Sequence, residues 1–280
     1  MPTSWAWHHR RGVLLIERGS PAVMAILNVT PDSFSDGGRF ASVEAATDAA
    51  VAAAELGAEL VDIGGESTRP GAAPVDVNEE LRRVVPVVRE IRRRSDLVIS
   101  VDTSKSDVAL AAIEAGADIV NDVSAGCFDP LMLERVAPTG AGFVLMHTTG
   151  RPHEMQALAE YGDVVAEVAE ALRGRVEAAV LAGFAPERLA IDPGFGFGKQ
   201  LGHNERIFAR LKAFTRQPLP VVVGVSRKSM LRARVGSDAE ALDHATTAAH
   251  TLATVRGAAV LRTHNVAAAI AARATCRALV

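Results

Sequence analysis

The sequence predicts an α/β fold: a single (β/α)8 TIM barrel with a short N-terminal hairpin or arm over residues 1–21. Three observations predict it. Eight short apolar runs occur in order, each followed by a helical pattern. The runs are apolar throughout rather than alternating, as expected when both faces of a parallel sheet are covered. The chain has 280 residues and no linker or composition shift to divide it, which suits one barrel domain of about 250 residues rather than two smaller units. A doubly wound open sheet is the rival. It loses support because no glycine fingerprint follows the first strand and no phosphate-loop motif (GxxxxGK followed by Ser or Thr) occurs.

The elements follow in turn. A short apolar run at 13–16 is cut off by Glu17-Arg18-Gly19-Ser20-Pro21, which reads as a small hairpin or arm before the main fold. The first barrel strand spans 22–27 and ends at Asn28, before a polar loop over 29–40 and an alanine-rich helix over 43–56 stopped by Gly57. Strand 59–63 leads into Gly64-Gly65-Glu66-Ser67-Thr68-Arg69-Pro70-Gly71 and a helix over about 78–93. Strand 97–101 ends at Asp102, with a helix to Ala115. Strand 118–120 ends at Asn121, with a helix around 130–136. Strand 142–146 ends at His147, with a helix over about 161–181. The sixth strand runs into Asp192-Pro193-Gly194-Phe195-Gly196-Phe197-Gly198-Lys199, followed by a helix over 204–214. The seventh covers 219–225 and ends in Ser226-Arg227-Lys228-Ser229, before a helix over 243–256. The eighth covers 258–261 and ends at Arg262-Thr263-His264, before a final helix from Val266.

Bulk properties narrow the function. With 49% hydrophobic residues the chain is too apolar for disorder, and a net charge of −3 gives no case for nucleic acid or a membrane surface. Cys127 and Cys276 form no CxxC pair, so neither a disulfide framework nor a zinc site is suggested. Cys127 reads as a packing residue and Cys276 as an ordinary helix position. No run is long enough for a membrane span, and the N-terminal apolar run is too short for a signal peptide, so a cytoplasmic enzyme is expected.

A closed barrel brings all eight strand ends to one mouth, where barrel enzymes carry their active sites. The ends of strands seven and eight supply the cations Arg227, Lys228, Arg262 and His264, which suit phosphate oxygens. Asn28 lies on the adjacent first strand, and its carbonyl could ligate a Mg²⁺ held mainly by phosphates. Across the mouth, Asp102, Asn121 and Asp192 could hydrogen-bond a flat heterocycle rich in N–H donors, or stabilise a developing cation. The residues therefore suggest a ligand with a heterocycle at one end and phosphate at the other. Plainer roles stand beside these. Asp62 could hydrogen-bond loop amides or meet substrate; Asp122 reads as a helix cap; His147 is a satisfied core histidine or a base. Lys199 reads as an exposed residue after the glycines, with a binding role open. His8, His9, His153, His203, His244 and His250 read as surface or packing residues, and Arg82-Arg83 and Arg92-Arg93-Arg94 as solvated helix faces.

Together the motifs resemble the dihydropteroate synthase family from Ala22 to the last helix. The stretches are Ile26-Leu27-Asn28-Val29-Thr30-Pro31-Asp32-Ser33-Phe34-Ser35-Asp36-Gly37-Gly38, Asp62-Ile63 with the Gly64–Gly71 loop, Ser100-Val101-Asp102-Thr103, Asn121-Asp122-Val123, Leu145-Met146-His147, the 192–199 run and Ser226-Arg227-Lys228-Ser229. The resemblance implies a folate-pathway transferase that condenses 6-hydroxymethyl-7,8-dihydropterin diphosphate with 4-aminobenzoate and releases diphosphate, with Mg²⁺, as a homodimer. It implies that Asp102, Asn121, Asp192 and Lys228 hold the pterin and carry catalysis, with Met146 and Phe197 against the ring. Asn28, Arg69, Arg262 and His264 would hold the diphosphate, with Asn28 also on the metal. Phe34, Thr68, Pro70 and Ser229 would shape the aminobenzoate site, and loops 29–40 and 64–75 would close over it.

Three departures stand out. The family usually has Arg-x-His-Asp where this chain has Arg262-Thr263-His264-Asn265, which bears on the charge behind the diphosphate site. Ala241 and His244 stand where an arginine and a glycine are usual, which bears on subunit packing. Thr148-Thr149-Gly150 replaces a common Met-Gln-Gly. A methyltetrahydrofolate-binding barrel would share Asp102, Asn121 and Asp192 but has no reason for the cationic corner. A degenerate paralogue that binds pterin without catalysis would lack Asn28, Lys228 or the loop residues, all of which are present.

Overall fold

The protein is described by a computed structural model that covers residues 3–30, 38–68 and 71–279, with the side chains of 38–42 outside that description. Two antiparallel strands, β1 (Ser4–His9) and β2 (Gly12–Glu17), form the expected hairpin. The eight parallel strands of the barrel are β3 (Ala22–Asn28), β4 (Leu60–Gly64), β5 (Val98–Asp102), β6 (Ile119–Asp122), β7 (Gly142–Met146), β8 (Leu189–Asp192), β9 (Val222–Val223) and β10 (Val260–Thr263). Each pairs with its neighbour in order, and β10 pairs with both β3 and β9. A bridge from Ile191 to Val221 joins β8 to the β9 segment and closes the ring.

The helices lie outside the strands: α1 (Gly38–Glu55), α2 (Val77–Arg94), α3 (Ser106–Ala115), α4 (Met132–Val136), α5 (Val164–Leu181), α6 (Leu201–Ala209), α7 (Lys212–Thr215), α8 (Ser229–Val235), α9 (Ala239–Val255) and α10 (Val266–Leu279). Their apolar stripes and the outward strand residues form the largest core, including Ile63, Val88, Ile99, Phe143 and Leu261. In α2 the sequence supplies both ingredients. Asp76 caps the first turn by accepting the Glu79 N–H, and Val84, Val87, Val88 and Ile91 bury one face.

The expected boundaries shift where local chemistry intervenes. The seventh strand keeps only two ladder residues of the expected 219–225, because Pro218 and Pro220 have no N–H to donate. The helix expected over 204–214 is two, α6 and α7, separated at Arg210-Leu211. The segment after Ser226-Arg227-Lys228 forms α8. The following helix starts at Ala239, earlier than expected, because the Asp238 side chain accepts the Ala241 N–H. Helix α5 starts at Val164, because Asp163 caps it.

The hairpin has a defined place. Trp5, Trp7 and Ile16 are buried with Met24, Leu60, Ile119, Val144, Ala190, Val222 and Val260, the inward residues near the N-terminal ends of the strands. It therefore closes the barrel floor, and Trp7 Nε1 donates to the Arg188 carbonyl at 3.1 Å. Asp118 anchors the same end. Burial works against its charge, but the His9 ring 3.6 Å away and hydrogen bonds from the Ile99 N–H, Arg92 and Arg11 outweigh it and hold its pKa below the ordinary value. Arg92 thus has a buried partner rather than a purely solvated role. Cys127, expected to pack, is instead exposed in the turn after β6, whereas Cys276 holds the expected helix position in α10 and is buried against α9. No helix among the described residues is long and apolar enough to cross a membrane.

Candidate active site

The C-terminal strand ends bring together most of the candidate residues. Asp102 closes β5, Asn121 lies in β6 and Asp192 closes β8, and all three are buried. The link between them is a residue read differently from sequence. Asp62, inside β4 and fully buried, accepts no loop amide among the described residues. Its Oδ2 accepts Arg262 Nε at 2.7 Å and Asn121 Nδ2 at 2.9 Å. Arg262 Nη2 then donates to Asp102 Oδ2 at 2.8 Å. One guanidinium therefore joins two carboxylates, and one carboxylate holds both an arginine and an amide. Because Asp62 only accepts, the Asn121 amide must turn its NH₂ toward it, which leaves the carbonyl oxygen for another donor.

The electrostatics follow from this geometry. Burial and the Asp62 charge push the Asp102 pKa upward against the pull of Arg262. Asp102 Oδ1 is buried and accepts no hydrogen bond among the described residues, so it can receive an incoming N–H. Asp192 is also pushed upward by burial. Its Oδ1 accepts the Gly194 N–H at 2.7 Å, and Lys228 and Arg262 favour its charged form. Beneath these groups Met146 and Phe197 pack with Val123, Met155 and Phe128. Lys228 Nζ stands 4.3 Å from the Phe197 ring centroid, a cation over an aromatic face.

The glycine run after β8 is held more tightly than its composition suggests. Gly194 has φ +72°, and a Cβ there would lie 2.0 Å from the His147 carbonyl oxygen, so a side chain is excluded. Lys199, expected at the surface, is buried beneath the run. Its Nζ donates to the carbonyls of Gly194 at 3.0 Å, Phe197 at 2.9 Å and His147 at 3.2 Å, and meets His147 Nδ1 at 2.9 Å. Gln156 donates to the Gly196 carbonyl, Tyr161 to that of Gly198, and Asn204 accepts the Gly196 N–H. Sequence reading missed these supports; the one available signal was a lysine directly after the glycines. His147 is resolved by the same contacts. Burial and the Lys199 charge hold its pKa down to about 3, so it is a neutral, hydrogen-bonded histidine rather than a base.

The corner at β9 and β10 splits. Arg262 and Lys228 face the mouth, whereas Arg227 is exposed, with φ +55°, and pairs bidentately with Asp243 of α9 at 2.7 and 2.9 Å. Asn265 donates to the same Asp243 at 3.0 Å and caps α10 through the Ala268 N–H. An aspartate at 265 would set a second carboxylate against Asp243; the amide removes that repulsion. His264 is exposed and its Nδ1 lies 3.0 Å from Ser226 Oγ. Asn28 is half-buried at the end of β3. A Cβ built on Gly64 would lie 3.7 Å from its Oδ1 and 3.6 Å from Asp102 Cβ, so the two ends are close neighbours across that glycine. Thr68 is half-buried and Ser229 is exposed at the start of α8. Phe34, Arg69 and Pro70 lie outside the described residues. Asp122, expected as a helix cap, instead accepts N–H groups of Ser124 and Gly126 in a turn. In the departing loop, Thr149 Oγ1 donates to the Met155 carbonyl.

Lys199 makes this arrangement testable. Burial presses its pKa down to about 7 despite Asp192, and Lys228 adds to the fall. The unfolded chain, with a lysine near 10.4, then holds the proton more tightly across roughly pH 7 to 10, so folding stability should rise with pH over that window. Lys199→Met should lose that rise, worth a few kcal/mol at about 1.4 kcal/mol per pKa unit. Denaturant unfolding of both chains from pH 6 to 10 checks it; parallel profiles would refute it.

Comparison with known proteins agrees with the site. The family profile described as pterin binding enzyme matches residues 24–264. Dihydropteroate synthase of Escherichia coli strain K12 is 45% identical over 251 residues, covering 90% of this chain and 89% of its own. Among solved structures, Xanthomonas albilineans dihydropteroate synthase with 4-aminobenzoic acid superposes with a TM-score of 0.89 at 46% identity, covering 95% of each chain. The same enzyme in complex with 7,8-dihydropteroate gives a TM-score of 0.85 at 43% identity, again covering 95% of each chain. With its barrel, its mouth and these relatives in agreement, the chain belongs to the pterin binding enzymes, in the dihydropteroate synthase family.

Proposed function

We propose that this chain, as one pterin-binding domain over residues 1–280, is a transferase that joins 6-hydroxymethyl-7,8-dihydropterin diphosphate to 4-aminobenzoate and releases diphosphate. The observation that carries the reading is the pair of buried carboxylates, Asp102 and Asp192, above an apolar floor of Met146 and Phe197 and beside Lys228 and Arg262. A pterin ring has N–H donors on its edge and two flat faces, and this pocket offers acceptors at the edge and apolar contact below. The relatives solved with 4-aminobenzoic acid and with 7,8-dihydropteroate supply the second substrate and the product.

In this reading Asp102, Asn121, Asp192 and Lys228 hold the pterin. Asn28, Arg69, Arg262 and His264 hold the diphosphate, and Phe34, Thr68, Pro70 and Ser229 shape the aminobenzoate site. Among the described residues no group of three or more His, Cys, Asp or Glu side chains could cage a metal. A lone amide oxygen from Asn28 nonetheless suits Mg²⁺, a hard cation that takes most of its ligands from phosphate and water. Bound there, Mg²⁺ supplies positive charge to the diphosphate oxygens. The chain's own residues supply the rest. As the C–O bond breaks, its electron pair leaves with diphosphate toward Arg262 and His264. The methylene left behind is positive, and Asp102 and Asp192 stabilise that charge from fixed positions. The aminobenzoate nitrogen then attacks it to form the C–N bond, and the proton the nitrogen sheds is taken up by the departing diphosphate. No strong nucleophile is required, and none occupies the mouth among the described residues. The same reading places the enzyme in the cytoplasm as a homodimer joined through its last helices, where Leu252, Val255 and Leu279 are exposed.

The direct test is turnover of the purified chain with the pterin diphosphate and Mg²⁺. Diphosphate release should depend on 4-aminobenzoate and yield dihydropteroate, and a sulfonamide should compete with aminobenzoate. Pterin binding without aminobenzoate-dependent release would defeat the reading, and indifference to a large sulfonamide excess would defeat the shared pocket. Separately, Asp192→Asn should weaken pterin affinity by about 10- to 100-fold, because the amide turns donors toward ring donors. Calorimetry checks this, and an unchanged Kd would contradict it.

A further inference from the structure

Outside the pterin pocket, one lysine ties the segment that carries Thr68 to the barrel wall. Lys105 lies between β5 and α3, and its N–H donates to Thr103 Oγ1, one residue past Asp102. Its Nζ reaches Glu80 Oε2 at 2.5 Å and also donates to Glu66 Oε2. Glu80 belongs to α2 and is fully buried, so its charge needs this partner. Burial pushes the Glu80 carboxyl upward, whereas the two carboxylates hold Lys105 above the ordinary lysine value despite its own burial. Glu66 does a second thing. Its Oε1 accepts the Val75 N–H at 3.0 Å, which joins the start and the end of the stretch between β4 and α2.

The backbone beneath is seated just as firmly. Gly65 rests on α2, where a Cβ would meet Val84 Cγ2 at 2.7 Å and Glu80 Cγ at 2.9 Å. Its carbonyl accepts Arg83 Nη1 at 2.8 Å. Residue 66 is thus fixed below by α2 and sideways by Lys105, and Thr68 follows two residues later.

We propose that Lys105 is a positioning residue for the aminobenzoate substrate: through Glu66 it sets where Thr68 stands, without touching the pterin pocket. The proposal rests on the reading of the mouth given above. Without Lys105, Glu66 would face buried Glu80 with nothing between them, and like charges at that distance separate or take up a proton.

Lys105→Met and Glu66→Gln test it, the second being the milder change should the first fold poorly. Both should raise KM for 4-aminobenzoate about tenfold or more, while pterin diphosphate affinity by calorimetry stays within about twofold and kcat within about threefold. Lys105→Arg, which keeps a cation between the carboxylates, should restore most of the loss. Exchange of the Val75 amide should accelerate about tenfold or more in Lys105→Met. An unchanged aminobenzoate KM in folded variants overturns the proposal, and so does pterin affinity falling in step with it. A wild-type chain with no aminobenzoate-dependent turnover would defeat the functional reading itself. The Val75 exchange then decides the clamp alone: acceleration upholds it and no change overturns it.

Discussion

The mouth of this barrel depends on one buried ion cluster, Arg262 between Asp62 and Asp102. A guanidinium at the end of a core strand is expensive to bury alone, and so is either carboxylate. Placed together they become tolerable, and they also become rigid. Arg262 arises on β10, Asp62 on β4 and Asp102 on β5, with β3 between β10 and β4. The cluster therefore ties strands that are not all hydrogen-bonded neighbours. Through Asp62 it also fixes which end of the Asn121 amide is available. What chemistry needs from such a site is fixed dipoles and charges that do not reorganise when a cation develops.

A second arrangement of the same kind supports the other side of the mouth. The glycine run after β8 brings backbone close to a ligand, but glycines alone would leave it loose. Lys199, Gln156, Tyr161 and Asn204 occupy its polar groups from beneath. Flexibility in composition is thus converted to order by side chains that bind the backbone of the run. The Lys105 clamp does the same for the stretch after β4.

Much of this was legible in the sequence, for physical reasons. Buried parallel strands read as continuous apolar runs, so the barrel and the strand-end residues Asn28, Asp102, Asn121, Asp192, Lys228 and Arg262 followed from pattern and topology. Met146 and Phe197 do meet in one apolar cluster. What was not legible is partnership across long sequence distance. Asp62 read as a carboxylate for loop amides or for substrate because its arginine partner is 200 residues away. Lys199 looked exposed because lysine seldom buries, and only the fold reveals four acceptors around its nitrogen. Arg227 looked like one more cation for phosphate until α9 brought Asp243 to it. The short β9 follows from Pro218 and Pro220, a signal present in the sequence but outweighed by the apolar run around it.

The most direct test of the account is a double-mutant cycle on the central cluster. Unfolding free energies would be measured for the wild type, Asp62→Asn, Arg262→Met and the double variant. The account predicts that each single change is costly because it leaves a buried charge uncompensated, and that the double change is less costly than their sum by roughly 2 kcal/mol or more. Additive losses, with a coupling near zero, would mean that the two residues stand near each other without holding the mouth together.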